Sequence, residues 1–115
     1  SQRSPEELTE TIWGGIKRCA THRKIPFQIK KGDAYELFLS QKRQCALTGL
    51  PIGFAETMRG HNRGETTASL DRIDSLKGYV QGNIQWVHKD VNFMKQRFDE
   101  EYFKRICKLV VDHNL

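Results

Sequence analysis

The stretch Ala68-Ser69-Leu70-Asp71-Arg72-Ile73 decides the fold, together with Asn83-Ile84-Gln85-Trp86-Val87 and the run His88 to Arg97 that follows it. The first segment alternates its two faces, the period-2 pattern of a strand. Residues 75 to 82 contain Gly78 and Gly82 and read as a loop in which glycine permits positive φ. Residues 83 to 87 read as a second strand, with Trp86 and Val87 in the core. Val91, Met94 and Lys95 recur at helical spacing, so residues 88 to 97 are predicted helical. Tyr79, in the loop, either packs or stacks on a sugar or base.

Working outward, Ser4-Pro5-Glu6-Glu7 has the spacing of a capping box with proline at the first helical position. Leu8, Ile12, Ile16 and Cys19 continue that helix to about Arg23. Gly14-Gly15 weakens it by about 1 kcal/mol per glycine. After Pro26, Phe27-Gln28-Ile29 alternates like a short strand. Asp33 is expected to cap a second helix carrying Tyr35, Leu37, Phe38 and Leu39. Cys45 to Gly49 reads as a tight turn, Leu50-Pro51-Ile52 as a short strand, and residues 53 to 67 as an exposed loop. Asp99 caps a last helix, where Tyr102, Phe103, Ile106, Leu109 and Val110 form an apolar stripe. The outline is one α+β domain: a helical buttress over 1–44, a hairpin-helix core over 45–97 and a C-terminal helix over 98–115.

A chain of 115 residues and 13.4 kDa supports one core without disulfides or metal clips. No apolar run approaches the roughly 18 residues of a membrane-spanning helix, and the polar N-terminus does not resemble a signal peptide. Three cysteines without a CxxC pair point to free thiols in a reducing, cytoplasmic setting, with Cys19 and Cys107 as small core residues. The net charge of +5 suits either a solvated basic surface or attraction to a polyanion. Lys17, Arg18, Arg23, Lys24, Lys30 and Lys31 crowd one segment and are the candidate contacts to nucleic-acid phosphates.

Asp71 falls near a strand end, Asn83 opens the second strand, and Asn92 lies nine residues further on, in the helix. A hairpin packed on a helix can bring Asp71 and Asn92 together. A carboxylate and an amide oxygen, completed by water and substrate phosphate, suit a hard divalent cation such as Mg²⁺ or Mn²⁺. Such an ion polarises a phosphodiester and stabilises its leaving oxygen. Taken singly, each reads better as a turn cap, a strand start or a solvated helix position; together, at this spacing and on these elements, they favour the metal site.

Cys45-Ala46-Leu47-Thr48-Gly49-Leu50-Pro51 and the block from Leu70 to Val87 resemble the small phage and bacterial HNH nucleases, the ββα-metal superfamily. Their pattern reads C-x-x-T-G-x-P, then L-D-R-I-D-S-x-x-G-Y-x-x-G-N-x-Q-W-V. The resemblance implies a treble-clef-like hairpin-helix core with flanking helices, encoded by a phage or bacterium. It also implies a divalent-metal endonuclease acting on DNA. By position, Asp71 and Asn92 would ligate the metal, and Asn83 would orient the hairpin loop or the base. Cutting both strands needs two sites, so a homodimer or a nicking activity is expected.

Two departures from the pattern matter. The histidine that usually follows the aspartate is replaced by Arg72, which cannot accept a proton at neutral pH but can hold a phosphate bidentately. His61, His88 and Asp74 are the remaining candidates for a base, with His88 expected to face away from the metal; direct attack by metal-activated water is the alternative. Zinc-bearing relatives supply two CxxC pairs, where this chain has Cys45, Thr48, His88 and Val91. Two ligands do not close a tetrahedral site, so no structural zinc is expected, with the Thr48 hydroxyl holding the turn. Loss of the histidine leaves a second reading open: a DNA-binding module on the same scaffold that does not cut.

Overall fold

A computed structural model describes residues 7–115. Its order is α1 (Glu10–His22), β1 (Phe27–Gln28), α2 (Lys31–Ser40), α3 (Met58–Asn62), β2 (Ala68–Arg72), β3 (Tyr79–Val80), β4 (Ile84–His88), α4 (Lys89–Lys95) and α5 (Glu100–His113). The fold is α+β.

β2 and β4 pair antiparallel, with Leu70 opposite Trp86 and Asp71 opposite Gln85. Side chains alternate between the faces of a strand, so the ribbon has two unlike sides. Leu70 and Trp86 share one side. There Trp86 meets Phe38 at 5.8 Å and Phe54 at 5.3 Å, in edge-to-face geometry that suits the ring quadrupoles. The indole N–H donates to the Ala34 carbonyl at 2.8 Å, and Gln41 clasps the Trp86 backbone through both its amide atoms. These bonds lock α2 to β4. Ser69, Asp71 and Gln85 take the opposite side, beneath α4. A second, two-stranded parallel pair joins β1 to β3 and carries Phe27 against Tyr79 at 5.4 Å.

Trp86, Val87 and Phe38 are fully buried, as their pattern predicts. Asp99 caps α5, accepting from the N–H groups of Glu101 and Tyr102. Elsewhere local preference gave way to tertiary packing. The expected cap at Ser4-Pro5 lies outside the described residues; α1 starts later, with Thr9 accepting from the Ile12 N–H at 3.1 Å. Glu7 is instead buried, accepting from Tyr35 at 2.7 Å and pairing with Arg43 at 3.0 Å. α2 begins at Lys31 with no side-chain cap, and Asp33 sits in its first turn. The predicted 50–52 strand is one isolated bridge, Gln44 to Pro51. The loop over 53–67 carries the short α3, capped by Thr57, and β3 interrupts the loop over 75–82. Cys19 and Cys107 are exposed, not in the core; Cys107 lies along the apolar stripe of α5, a helix that buries no side chain. α5 buries none of its side chains, so its stripe adds nothing to the core.

Candidate active site and cationic groove

The side of the β2–β4 ribbon opposite Trp86 carries Ser69, Asp71 and Gln85 beside the buried Val87, and α4 lies across it. His88 caps this helix, its Nδ1 accepting from the Asp90 N–H at 3.1 Å. Asn92 and Lys95 are three residues apart and therefore share one helical face. That face meets β2 one rung at a time. Asn92 Nδ2 donates to Ser69 Oγ at 2.6 Å, and Lys95 Nζ reaches Asp71 two residues further along the strand.

Asp71 is 4% exposed and Lys95 is 0% exposed. The ammonium donates to both carboxylate oxygens, at 3.0 and 3.2 Å, and to the Arg72 carbonyl at 3.1 Å. Gln85 donates to Asp71 Oδ2 at 2.9 Å and to Glu100 Oε1 at 2.7 Å, tying the carboxylate to the first turn of α5. All three ammonium protons thus have acceptors, as a buried charge requires. Lys95 and Gln85 are the principal residues absent from the sequence-level site. The signal for Lys95 was its three-residue spacing from Asn92; for Gln85 it was the cross-strand register opposite Asp71.

A small cavity of about 30 Å³ is lined by Asp71, Arg72, Asn92, Arg23, Tyr79 and Gln96, among others. It has room for one or two water-sized species. It adjoins an open groove of about 640 Å³ bordered by Arg23, Lys89, Asn92, Phe93, Gln96 and Arg97. Arg23, Asn92 and Gln96 line both. The groove sets three cations beside Phe93, whose ring is 75% exposed. Gln96 ends α4 at φ +48°, ψ −121°, a conformation that favours glycine, and places backbone strain at the junction of cavity and groove.

The other predicted residues divide clearly. Arg72 Nη1 donates to the carbonyls of Ser75 and Lys77 at 2.8 and 2.9 Å, and the guanidinium lies 5.5 Å from the Tyr79 ring centre. It holds the 73–78 loop while bordering the cavity. Asn83 is buried and spans the same loop: its Nδ2 donates to the Asp74 and Gly78 carbonyls, and its Oδ1 accepts from the Asp74 N–H. Asp74 itself accepts from the Leu76 N–H. His61 lies on α3, bonded through Nδ1 to Thr66 Oγ1 at 2.7 Å, and does not line the cavity. Among the described residues, no histidine lines it.

Of the six expected phosphate contacts, Arg23 alone borders the groove. Lys17 and Arg18 flank a separate hollow on α1, Lys24 and Lys30 are exposed elsewhere, and Lys31 pairs with Glu10 at 3.5 Å. Lys89 and Arg97 share the groove with Arg23 only through the tertiary fold, which no local pattern reveals.

At the Cys45–Gly49 turn, the Thr48 hydroxyl accepts from the Leu50 N–H at 3.1 Å. Burial raises the Cys45 thiol pKa, but hydrogen bonds from the Thr48 side chain and the backbones of His88, Leu47 and Thr48 outweigh it and bring it below the usual thiol value.

Asp71 and Asn92 offer oxygen donors of the right class for a hard cation: a carboxylate, and an amide oxygen left free to turn into the cavity once Nδ2 is given to Ser69. Both carboxylate oxygens are nevertheless engaged by Lys95, so a divalent ion enters only by displacing the ammonium. Among the described residues there is no group of three or more acidic, histidine or cysteine ligands. No helix among them is long and apolar enough to cross a membrane. No family model matches the chain, and neither the curated proteins nor the solved structures contain a match.

Proposed function

We propose that this protein is a divalent-metal-dependent endonuclease that hydrolyses DNA phosphodiester bonds, with residues 68–95 as a ββα-metal unit. One observation carries this reading: Asp71 and Asn92, on different elements, line one small cavity that adjoins a groove edged by Arg23, Lys89 and Arg97. Lysine and arginine along such a groove neutralise backbone phosphates and fix register without reading sequence. Phe93 offers a face for a splayed base. Asp71 and the Asn92 amide oxygen would hold Mg²⁺ or Mn²⁺, and a metal there supplies charge neutralisation and an activated water. The chain's own residues do the rest. Arg72 keeps Nη2 and Nε for a phosphate oxygen while its Nη1 braces the loop. Asn83 holds that loop in shape. Lys95 moves from Asp71 toward the incoming phosphate.

A second reading, a DNA-binding module that does not cut, is favoured by a different observation: the Asp71–Lys95 pair is closed and fully hydrogen-bonded. Incubation with supercoiled plasmid and Mg²⁺ or Mn²⁺ separates the two, with Asn92→Ala as the control because Asn92 is only partly buried. Metal-dependent nicking that the variant lacks supports the nuclease. Salt-sensitive DNA binding without nicking supports the module. Absence of DNA binding at low salt refutes both.

A further inference from the structure

Phe93 is the one apolar side chain bordering the groove that Arg23, Lys89, Asn92, Gln96 and Arg97 otherwise line, and its ring is left largely open to solvent. A lone exposed apolar residue needs no explanation by itself. Here its surroundings supply one. Lys89 lies one turn earlier on the same face of α4, and Arg97, just past the turn at Gln96, borders the same groove. The Lys89 ammonium donates to the Gly64 carbonyl at 2.6 Å, which holds it in place and leaves its other protons for an anion. Among the described residues, none of Arg23, Lys89 and Arg97 is in an ion pair, and no carboxylate borders the groove.

We propose that this groove takes an unpaired strand of DNA, with one base stacked on Phe93 and the neighbouring phosphates held by Arg23, Lys89 and Arg97, so that single-stranded DNA is preferred over duplex. The proposal rests on the DNA reading above and names its substrate class. Cations alone do not make the choice, because duplex and single strand both present phosphates to them. The ring does. Within a duplex both faces of every base are covered by its neighbours, so Phe93 meets a base there only after that base is flipped out of its stack, which is costly. In a single strand a base turns out readily, and stacking on an aromatic ring accepts any base. The groove's volume of about 640 Å³ lies in the range of small-ligand sites and has room for a nucleotide. Lysine is depleted at protein–protein interfaces, which favours a nucleic acid here over an acidic protein segment. Because Arg23, Asn92 and Gln96 line groove and cavity alike, a nucleotide stacked on Phe93 lies next to the cavity that Asp71 borders.

Fluorescence anisotropy at low salt and without divalent metal tests this, using a fluorescein-labelled oligonucleotide of about 15 nucleotides, long enough to fill a single-strand site. The same strand annealed to its complement is the duplex probe, and a fluorescein-labelled polyglutamate peptide is the protein-like one. Wild type is expected to bind the single strand at least about tenfold tighter than the duplex. Phe93→Ala and Phe93→Leu should each weaken the single strand by at least about fivefold and move duplex binding far less, while Phe93→Trp keeps the preference. Leucine retains apolar bulk without a flat ring, so it separates stacking from simple burial, and an exposed position leaves the fold intact in all three variants. Equal affinity for single strand and duplex, or a Phe93→Ala protein that binds the single strand as wild type does, overturns the proposal, while the duplex binding itself leaves the DNA reading standing. Polyglutamate bound as tightly as the single strand overturns it in favour of an acidic protein partner. Binding of neither DNA overturns the proposal together with the reading it rests on.

Discussion

Asp71 and Lys95 form an ion pair almost wholly removed from water, so their energetic coupling is large and measurable. Removing one partner of a buried pair leaves an uncompensated charge and typically costs about 3–5 kcal/mol. Asp71→Leu strands the ammonium with the Arg72 carbonyl as its remaining acceptor. Lys95→Met leaves the carboxylate with the Gln85 amide. In a domain of this size each single substitution should lower Tm by roughly 10–20 °C, at about 4 °C per kcal/mol. Replacing both partners by apolar groups removes the two charges together, and such exchanges are neutral or stabilising in other buried pairs. The double variant should therefore recover most of the loss, with a coupling energy of at least about 3 kcal/mol in a urea-unfolding cycle. Losses that add within about 0.5 kcal/mol would show that the two groups do not interact and would refute the reasoning.

The same cycle reports on metal. Mn²⁺ at about 100 times its dissociation constant stabilises a folded protein by about 2.7 kcal/mol. If Asp71 is a ligand, Lys95→Met, which has no competing ammonium, should gain more from Mn²⁺ than wild type does. The double variant should gain nothing. Mn²⁺ leaving all four proteins unmoved would count against the metal and leave the ion pair untouched. A plain Asp71→Ala assay cannot make this distinction, because lost activity there reports unfolding as readily as chemistry.

Asn92→Ala removes one partly buried hydrogen bond to Ser69; it should cost about 1 kcal/mol in urea unfolding yet abolish Mn²⁺-dependent nicking, and full activity would remove Asn92 from the site. Arg97→Ala should flatten the log–log salt dependence of DNA binding, read by fluorescence anisotropy, by about 0.9; an unchanged slope would show that DNA lies elsewhere. Asn83→Ala leaves the Asp74 N–H and the Asp74 and Gly78 carbonyls without their partner, so thermal unfolding should register a loss of about 2–3 kcal/mol. Gln96→Gly relieves a positive φ at the end of α4 and should raise stability by about 1 kcal/mol; a lower Tm would mean that the Gln96 side chain contributes more than its backbone strain costs.

The sequence carried the ribbon well. Period-2 alternation located β2 and β4 within a residue, and the Asp99 cap located α5, because these signals are local. The two-residue parallel pair β1–β3 was invisible as a pair: its partners are Phe27 and Tyr79, and nothing near either announces the other. α3 is one short turn inside a glycine-bearing segment, below the length at which periodicity speaks. The apolar stripe of α5 was legible as a stripe, but amphipathicity does not say whether the core or another molecule covers it. Lys95 was the costliest omission. A lysine near the end of a helix reads as solvated, and only contact with Asp71, 24 residues away, shows that it is among the most buried side chains described. Helical geometry did contain the hint: if Asn92 faces β2, so does the residue three positions later.

That burial bears on what the ribbon is for. One of its sides already carries Leu70 and Trp86 into the aromatic core. The other holds Ser69, Asp71 and Gln85 with the buried Val87 beneath a helix, and a charged pair at its centre. A covered strand face selected for stability alone would be apolar, since hydrophobic residues of similar volume do at least as well as a buried ion pair. Here the polar side also borders a water-sized cavity, and the strained Gln96 backbone stands where cavity meets groove. Polar burial, strain and cationic flanks converge on this patch. Perturbed chemistry of this kind collects at functional sites. The patch is accordingly where substitutions should separate activity from stability: on its rim at Asn92 and Arg97, and not at Asp71, where the two are bound together through Lys95.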